Sequence, residues 1–280
     1  MERKQKTAKI SFKELQEQAD WVRRETLKIH KIAPETRLAS SLSAVEILTV
    51  LYYGRVLAFD PHHIHAENRD RLIISKGHGS ISLYPILADC GYFPKDELLK
   101  VCKEGSFLGG IPDAIIPGYE TINGSLGHGL GVGCGMALAL KRKERKETVF
   151  VLVGDGELFE GSVWEAVMFA SEHKLGNLVL IVDNNKACML DYCRKILDLA
   201  PLKDKFRTFK WNVREVDGHD VKRLHVTLTA LKSSTDARPK VLIAHTVKGK
   251  GVPRLEKDPL SHIKNLTADE ADVLIRGLQP

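Results

Sequence analysis

Residues 154–186 read GDGELFEGSVWEAVMFASEHKLGNLVLIVDNNK. Asp155 stands between two glycines, an apolar helix-like stretch follows, then a run of aliphatic residues, then Asn184 and Asn185. Just upstream, TVFVLV (148–153) has the length and composition of a buried strand. Strand, helix and strand in that order, both strands apolar throughout rather than alternating, define a β-α-β unit of a parallel sheet covered on both faces. A right-handed crossover brings the carboxyl ends of the two strands to one rim, where ligands of open parallel sheets bind. Asp155 and the asparagine pair should therefore converge.

A carboxylate, an amide and a main-chain carbonyl make a sparse oxygen set. Such a set suits Mg²⁺, which completes six-fold oxygen coordination with water and phosphate oxygens. Gly154 and Gly156 leave their backbone N–H groups open to an anion. A diphosphate held through Mg²⁺ follows. GDG alone reads better as a turn with an Asx cap. The asparagine pair beyond the next strand favours the ligand.

Working outward, residues 11–32 carry Phe12, Leu15, Ala19, Val22, Leu27 and Ile29 near helical spacing. SSLSAVEILTVLYYG (40–54) reads as a second helix, capped by Ser41 or Ser43. RLIISKGHG (71–79), WNVREVDGHD (211–220) and PKVLIAHTVKGKG (239–251) read as further strands with their turns, and VKRLHVTLTALKSS (221–234) as a helix. The fold class is α/β, a mostly parallel sheet with helices on both faces. The whole of 1–280 reads as a single diphosphate-binding domain with a helical segment over about residues 1–60. GHGLGVGCGMA (127–137) is not a dinucleotide fingerprint: no G-x-G in it is followed by the third glycine at the required spacing, and it follows a loop rather than a strand. Its glycines serve either close helix packing or a close backbone approach to a cofactor.

Composition narrows the partners. With 28% charged and 43% hydrophobic residues the chain reads as globular, and its net charge of +6 suits an anionic ligand. The densest basic run, KRKERK (141–146), is a solvated helix end rather than a nucleic-acid patch. Apolar runs are too short to span a bilayer, and the charged N-terminus is no signal peptide. Cys90, Cys102, Cys134, Cys188 and Cys193 form no CxxC, which points to reduced thiols and a cytoplasmic location. His30, His62, His63, His65, His173, His219 and His225 read as surface or capping residues, and His245 as a hydrogen-bonded core histidine. His128, in its glycine-rich loop, reads as touching cofactor or a neighbouring subunit. Trp164 and Phe169 read as packing residues.

The ordered stretches RDRLIISKGHGSISLYPILADCGYF (69–93), GSLGHGLGVGCGMALAL (124–140), GDGELFEGSVWEA (154–166) and HTVKGKGV (245–252) resemble transketolase, in its N-terminal, diphosphate-binding half. The resemblance runs over roughly residues 20–265 and implies the N-terminal subunit of a split enzyme that uses thiamine diphosphate and Mg²⁺. It implies that Asp155, Asn185 and the Ala187 carbonyl ligate the metal. Gly154, Gly156 and Glu157 would meet the diphosphate, and Gly124 and Leu126 the aminopyrimidine. His78 and His262 would lie by the cofactor and the reacting carbons, and Glu160 in a carboxylate network between two active sites. A second polypeptide would bring the pyrimidine-binding domain and the glutamate that activates the cofactor, as an α2β2 heterotetramer. The reaction implied is transfer of a two-carbon ketol unit from a ketose, such as a sugar phosphate, to an aldehyde. Two positions depart from the family pattern: Arg37 in TRLASSLS (36–43) and Ile111 in GGIP (109–112) stand where histidines lining the substrate channel are usual. The substrate should accordingly be non-standard. Two alternatives stay open: the α-type subunit of another thiamine-diphosphate enzyme, such as a 2-oxoacid dehydrogenase or a pyruvate-fed synthase, and a cofactor-holding subunit without catalysis.

Overall fold

The computed structural model describes residues 11–122 and 124–278. Five strands, β1 (Arg71–Ile74), β2 (Val149–Gly154), β3 (Leu178–Asn184), β4 (Asn212–Asp217) and β5 (Lys240–His245), form one sheet in the order β1-β2-β3-β5-β4. Every pairing is parallel. The helices are α1 (Phe12–Ile32), α2 (Leu38–Leu42), α3 (Val45–Tyr52), α4 (Leu83–Cys90), α5 (Gly129–Arg142), α6 (Gly161–Glu172), α7 (Cys193–Ile196), α8 (Leu202–Thr208), α9 (Val221–Ser233), α10 (Pro253–Glu256) and α11 (Ala268–Gly277). None among the described residues is long and apolar enough to cross a membrane.

The inner strands β2, β3 and β5 are largely apolar because both their faces are covered, whereas β4 at the sheet edge (NVREVD) buries only Val213. On one face Phe150, Leu152, Val179, Ile181 and Leu242 pack with Leu27 of α1, Leu48 of α3, Ile86 of α4 and Leu228 of α9. On the other, Val149, Val151, Leu178, Leu180 and Val241 meet Cys134 of α5, Val167 of α6, Phe206 of α8 and Trp211. Alternate residues of one strand thus serve two cores. Helices α1, α2 and α3 contribute to the first core, and residues 1–10 of the expected helical segment lie outside the described residues.

Helix α1 starts where the periodicity places it, at a capping box in which Ser11 and Glu14 bond reciprocally. The second expected helix is broken in two, and no serine caps α3, whose N-cap is Ala44. Ser43 Oγ donates instead to Asp183 Oδ2 (2.6 Å), and Ser41 Oγ to the Arg37 carbonyl (3.1 Å). A buried carboxylate outcompetes the local cap. Gly129 and Gly133 let α5 lie directly on the sheet: a Cβ at Gly129 would fall 2.4 Å from Ser75 Oγ, and one at Gly133 2.5 Å from Val151 Cγ2. Close packing is thus the use of those two glycines.

Three histidines lie elsewhere than the sequence suggests. His30 is fully buried, its Nδ1 3.0 Å from Thr36 Oγ1 and its Nε2 accepting from Leu266 N (3.3 Å). Burial lowers its pKa to about 4. His219 is bridged between an acidic helix residue and a backbone N–H. His245 is not in the core: it ends β5 in solvent, beside Asn184 (3.2 Å) and Glu215 (3.3 Å).

Candidate active site

The register aligns the strand ends. Gly154 pairs with Asp183, and Asn184 with His245. One residue beyond β1 and β5 stand Ser75 and Thr246, so Ser75, Lys76, Asp155, Asp183, Asn185, Thr246 and Lys248 share the carboxyl rim. A short 3₁₀ turn at Gly77–Gly79 lifts His78 over it.

Asp155 is 6% exposed. Its Oδ1 accepts from Gly156 N (2.8 Å) and its Oδ2 from Lys186 N. Burial, then the nearby Asp183, raise its pKa to about 6. Asn185 donates from Nδ2 to Asp183 Oδ2 (3.2 Å), which leaves its amide oxygen turned to Ala187 N (3.2 Å). Asp183 is fully buried. Burial pushes its pKa up, but Lys76 and the hydroxyls of Ser43 and Thr246 outweigh that and hold it low. The Ala187 carbonyl accepts from Lys248 Nζ (2.8 Å). Among the described residues no three His, Cys, Asp or Glu side chains gather around a metal position. The available set is one buried carboxylate, one oriented amide and one carbonyl that already draws a cation. A hard divalent ion fits it.

Lys248 also lies 3.2 Å from His262 Nδ1, and the His262 and His78 rings stand 4.9 Å apart. Burial, then Lys76, lower the pKa of the Lys248 ammonium to about 8. Burial and the surrounding cations lower His78 to about 2 and His262 to about 3. Both imidazoles are therefore neutral at physiological pH, able to donate from one nitrogen and accept at the other. Ser40 Oγ sits 3.4 Å from His262 Nδ1.

The remaining expected residues ring this centre. Gly154 N and Gly127 N donate to Glu157, whose carboxylate also takes Ser75 Oγ; it is 2% exposed and faces into the fold, tying three segments together. The Leu126 carbonyl lies 3.0 Å from His128 Nδ1, Gly124 is exposed, and Ile111 Cγ2 lies 4.0 Å from where a Gly124 Cβ would stand. A Cβ at Gly110 would stand 3.9 Å from Thr36 Cγ2, which brings the flanking Arg37 and Ile111 into the same region. Arg37 is half-buried. Glu160 is exposed at the start of α6. A cleft of about 810 Å³ opens between Asp155, Asn185 and Lys248 and the 192–203 segment. Trp164 packs against Phe206 and Phe209, while Phe169 is 40% exposed. The sequence reading missed Lys76, Asp183 and Lys248. A lysine inside an SKGHG turn and another inside HTVKGKG, each at the end of an apolar strand, were the available signals.

An open, wholly parallel sheet with a polar, cation-rich rim at its carboxyl ends defines an α/β ligand-binding enzyme domain. Residues 28–278 match the family model of the transketolase thiamine diphosphate-binding domain. The chain is 39% identical to an apulose-4-phosphate transketolase subunit of Actinobacillus succinogenes over 272 residues, 96% of this chain and 98% of that one. It is 37% identical over 257 residues to a 6-deoxy-6-sulfo-D-fructose transketolase subunit of a Clostridium species, 91% of this chain and 93% of that one. The transketolase structure of Campylobacter jejuni superposes with a TM-score of 0.90 at 29% identity, over 96% of this chain and 43% of that chain. The chain thus spans less than half of that single-chain enzyme. It belongs to the transketolase family, as the N-terminal subunit of a split enzyme.

Proposed function

We propose that this chain, joined to a second polypeptide, moves a two-carbon ketol unit from a ketose to an aldehyde. The observation that carries the reading is the convergence, on one rim, of the Asp155–Asn185–Ala187 oxygen set, Lys248 and two neutral histidines. In this reading Asp155, Asn185 and the Ala187 carbonyl hold Mg²⁺, and Lys248 leaves the carbonyl to meet a diphosphate oxygen. The N–H groups of Gly154 and Gly156, expected open, are taken by the Glu157 and Asp155 carboxylates (3.3 and 2.8 Å), so the backbone of Gly154, Gly156 and Glu157 would meet the diphosphate only as those bonds are exchanged, and that of Gly124 and Leu126 would meet the aminopyrimidine. Thiamine diphosphate supplies the carbon centre at which the donor is cleaved. His78 and His262 exchange protons with substrate hydroxyls without becoming permanently charged. Glu160, exposed at the head of α6, reaches a neighbouring subunit's carboxylates. The partner brings the pyrimidine-binding domain and the activating glutamate, in an α2β2 assembly. The described residues act as one domain, and the unpaired cysteines suit the cytoplasm.

Arg37 and Ile111 shape the sugar end. A fixed cation that can only donate hydrogen bonds and a branched apolar side chain favour a donor or acceptor with an anionic group and a less hydroxylated, branched or modified carbon. The two similar subunits are named for apulose 4-phosphate and for 6-deoxy-6-sulfo-D-fructose, each with an anionic group, and these names agree with that direction. The test is kinetic. The chain, reconstituted with its partner, thiamine diphosphate and Mg²⁺, is assayed for ketol transfer and for pyruvate decarboxylation. Ketol transfer should appear, with xylulose 5-phosphate and ribose 5-phosphate converted at kcat/KM below about 10⁴ M⁻¹s⁻¹. Decarboxylation without ketol transfer overturns the reaction class. Ordinary rates with the standard pair overturn the role of Arg37 and Ile111.

A further inference from the structure

Outside the rim, one buried carboxylate holds both ends of the segment that carries Lys248. Glu46, on α3, is 3% exposed. Its Oε2 lies 2.8 Å from His219 Nδ1, and its Oε1 is paired with Arg23 of α1. His219, in the DGHD turn after β4, accepts the Val247 N–H at Nε2 (2.9 Å). Since Nε2 accepts, the proton is on Nδ1 and is donated to Glu46. Arg23 donates in turn to the Lys250 carbonyl (2.6 Å) and the Leu42 carbonyl (3.2 Å). Lys248 therefore sits between two backbone anchors, Val247 and Lys250, whose side-chain partners meet on one carboxylate. A third anchor, Gly249 N to Ala39 O (2.9 Å), ties the same segment to α2.

We propose that Glu46, acting through His219 and Arg23, positions Lys248 at the rim, so that the His219 bridge sets affinity for the cofactor's diphosphate. The inference rests on the functional reading for the identity of that ligand. The brace itself does not depend on it. His219 and Glu46 touch neither the metal set nor the two rim histidines. They are positioning residues whose effect runs through the backbone of Val247.

Two His219 variants separate positioning from mere packing. Gln can accept from Val247 N–H with its carbonyl and donate to Glu46 with its amide. Leu can do neither and leaves both groups without their partner. In the assembled enzyme, calorimetric titration with thiamine diphosphate at saturating Mg²⁺ should show H219L weakened about tenfold, the value of one hydrogen bond of about 1.4 kcal/mol. H219Q should stay within about threefold of wild type, since both contacts are rebuilt. The loss in H219L should largely vanish in a K248M background, because it acts through that lysine. Amide hydrogen exchange over residues 246–251 should be faster in H219L than in wild type, read on the full chain without cofactor. Wild-type affinity in H219L, equal losses in H219L and H219Q, or full additivity with K248M overturns the proposal. If the wild-type enzyme binds no thiamine diphosphate, the functional reading fails, and the exchange rates still decide the brace: unchanged exchange in H219L sinks it.

Discussion

Asp155 carries the only negative charge offered to a metal by the oxygen set at the rim, and it is held in an environment that resists ionisation. Its folded pKa, about 6, lies above the value near 3.9 of an unfolded aspartate. The folded chain therefore binds that proton more tightly. Its contribution to stability is fully present below about pH 4 and is lost as pH rises through about 6. On the proposed reading metal binding would run the other way, because an ion at Asp155 must displace the proton. Asp155→Ala should flatten the difference between pH 4 and 6 in chelator-treated protein, followed by urea unfolding. It should also lower Mg²⁺-dependent thiamine diphosphate affinity by more than about a hundredfold, beyond what outer-layer changes cost, with the melting temperature retained. Equal affinity in mutant and wild type would remove Asp155 from the metal set. At this scale the residues that were legible are those whose motif is local: GDG, the asparagine pair, His78 between glycines. Lys76, Asp183, Glu46 and His219 were not, because each earns its place through partners far along the chain. His30 was unreadable for the same reason. Lys28 and Lys31 flank it in sequence, while its buried hydrogen bonds come from Thr36 and the Leu266 backbone.

Among the elements, the inner strands β2, β3 and β5 were read most surely, since a run of aliphatic residues buried on both faces leaves little else to be. The helix start at Ser11 was legible through its capping box, and the break between α2 and α3 was not, because Ser43 answers to Asp183 rather than to its own helix. Helix α5 separates glycines by use. Gly133 faces Val151 across a gap that admits no Cβ, whereas Gly135 faces open space. Gly133→Ala should cost about 1–3 kcal/mol through forced separation of α5 from the sheet. Gly135→Ala in the isolated chain should gain about 0.5–1 kcal/mol from helix propensity. Thermal or denaturant unfolding of the two variants gives the comparison; equal effects would mean that α5 does not rest on its glycines.

For the molecule as a whole, the outer surface of α5 and α6 is too apolar to be a finished exterior. Val132, Met168 and Phe169 are each at least 40% exposed there. The face adjoins Glu160, whose expected neighbours belong to another subunit. The purified single chain should therefore self-associate, and Met168→Glu should shift it towards monomer without lowering its melting temperature. Sedimentation velocity over a concentration series measures this, and a wild-type chain that stays monomeric at concentrations on the order of tens of micromolar would count against an interface here. The sheet order carries one more consequence. Strand β1 pairs only with β2, and everything from Ser75 to Thr148 is made between them. On the ribosome, at about 5–20 residues per second, the apolar β1 and the helices around it wait several seconds with no strand to pair with. Strand β5 then inserts between β3 and β4 only after the other four strands have been made. The rim can assemble only after that, so an interrupted nascent chain displays the apolar faces of α1, α3 and α4 and none of the chemistry.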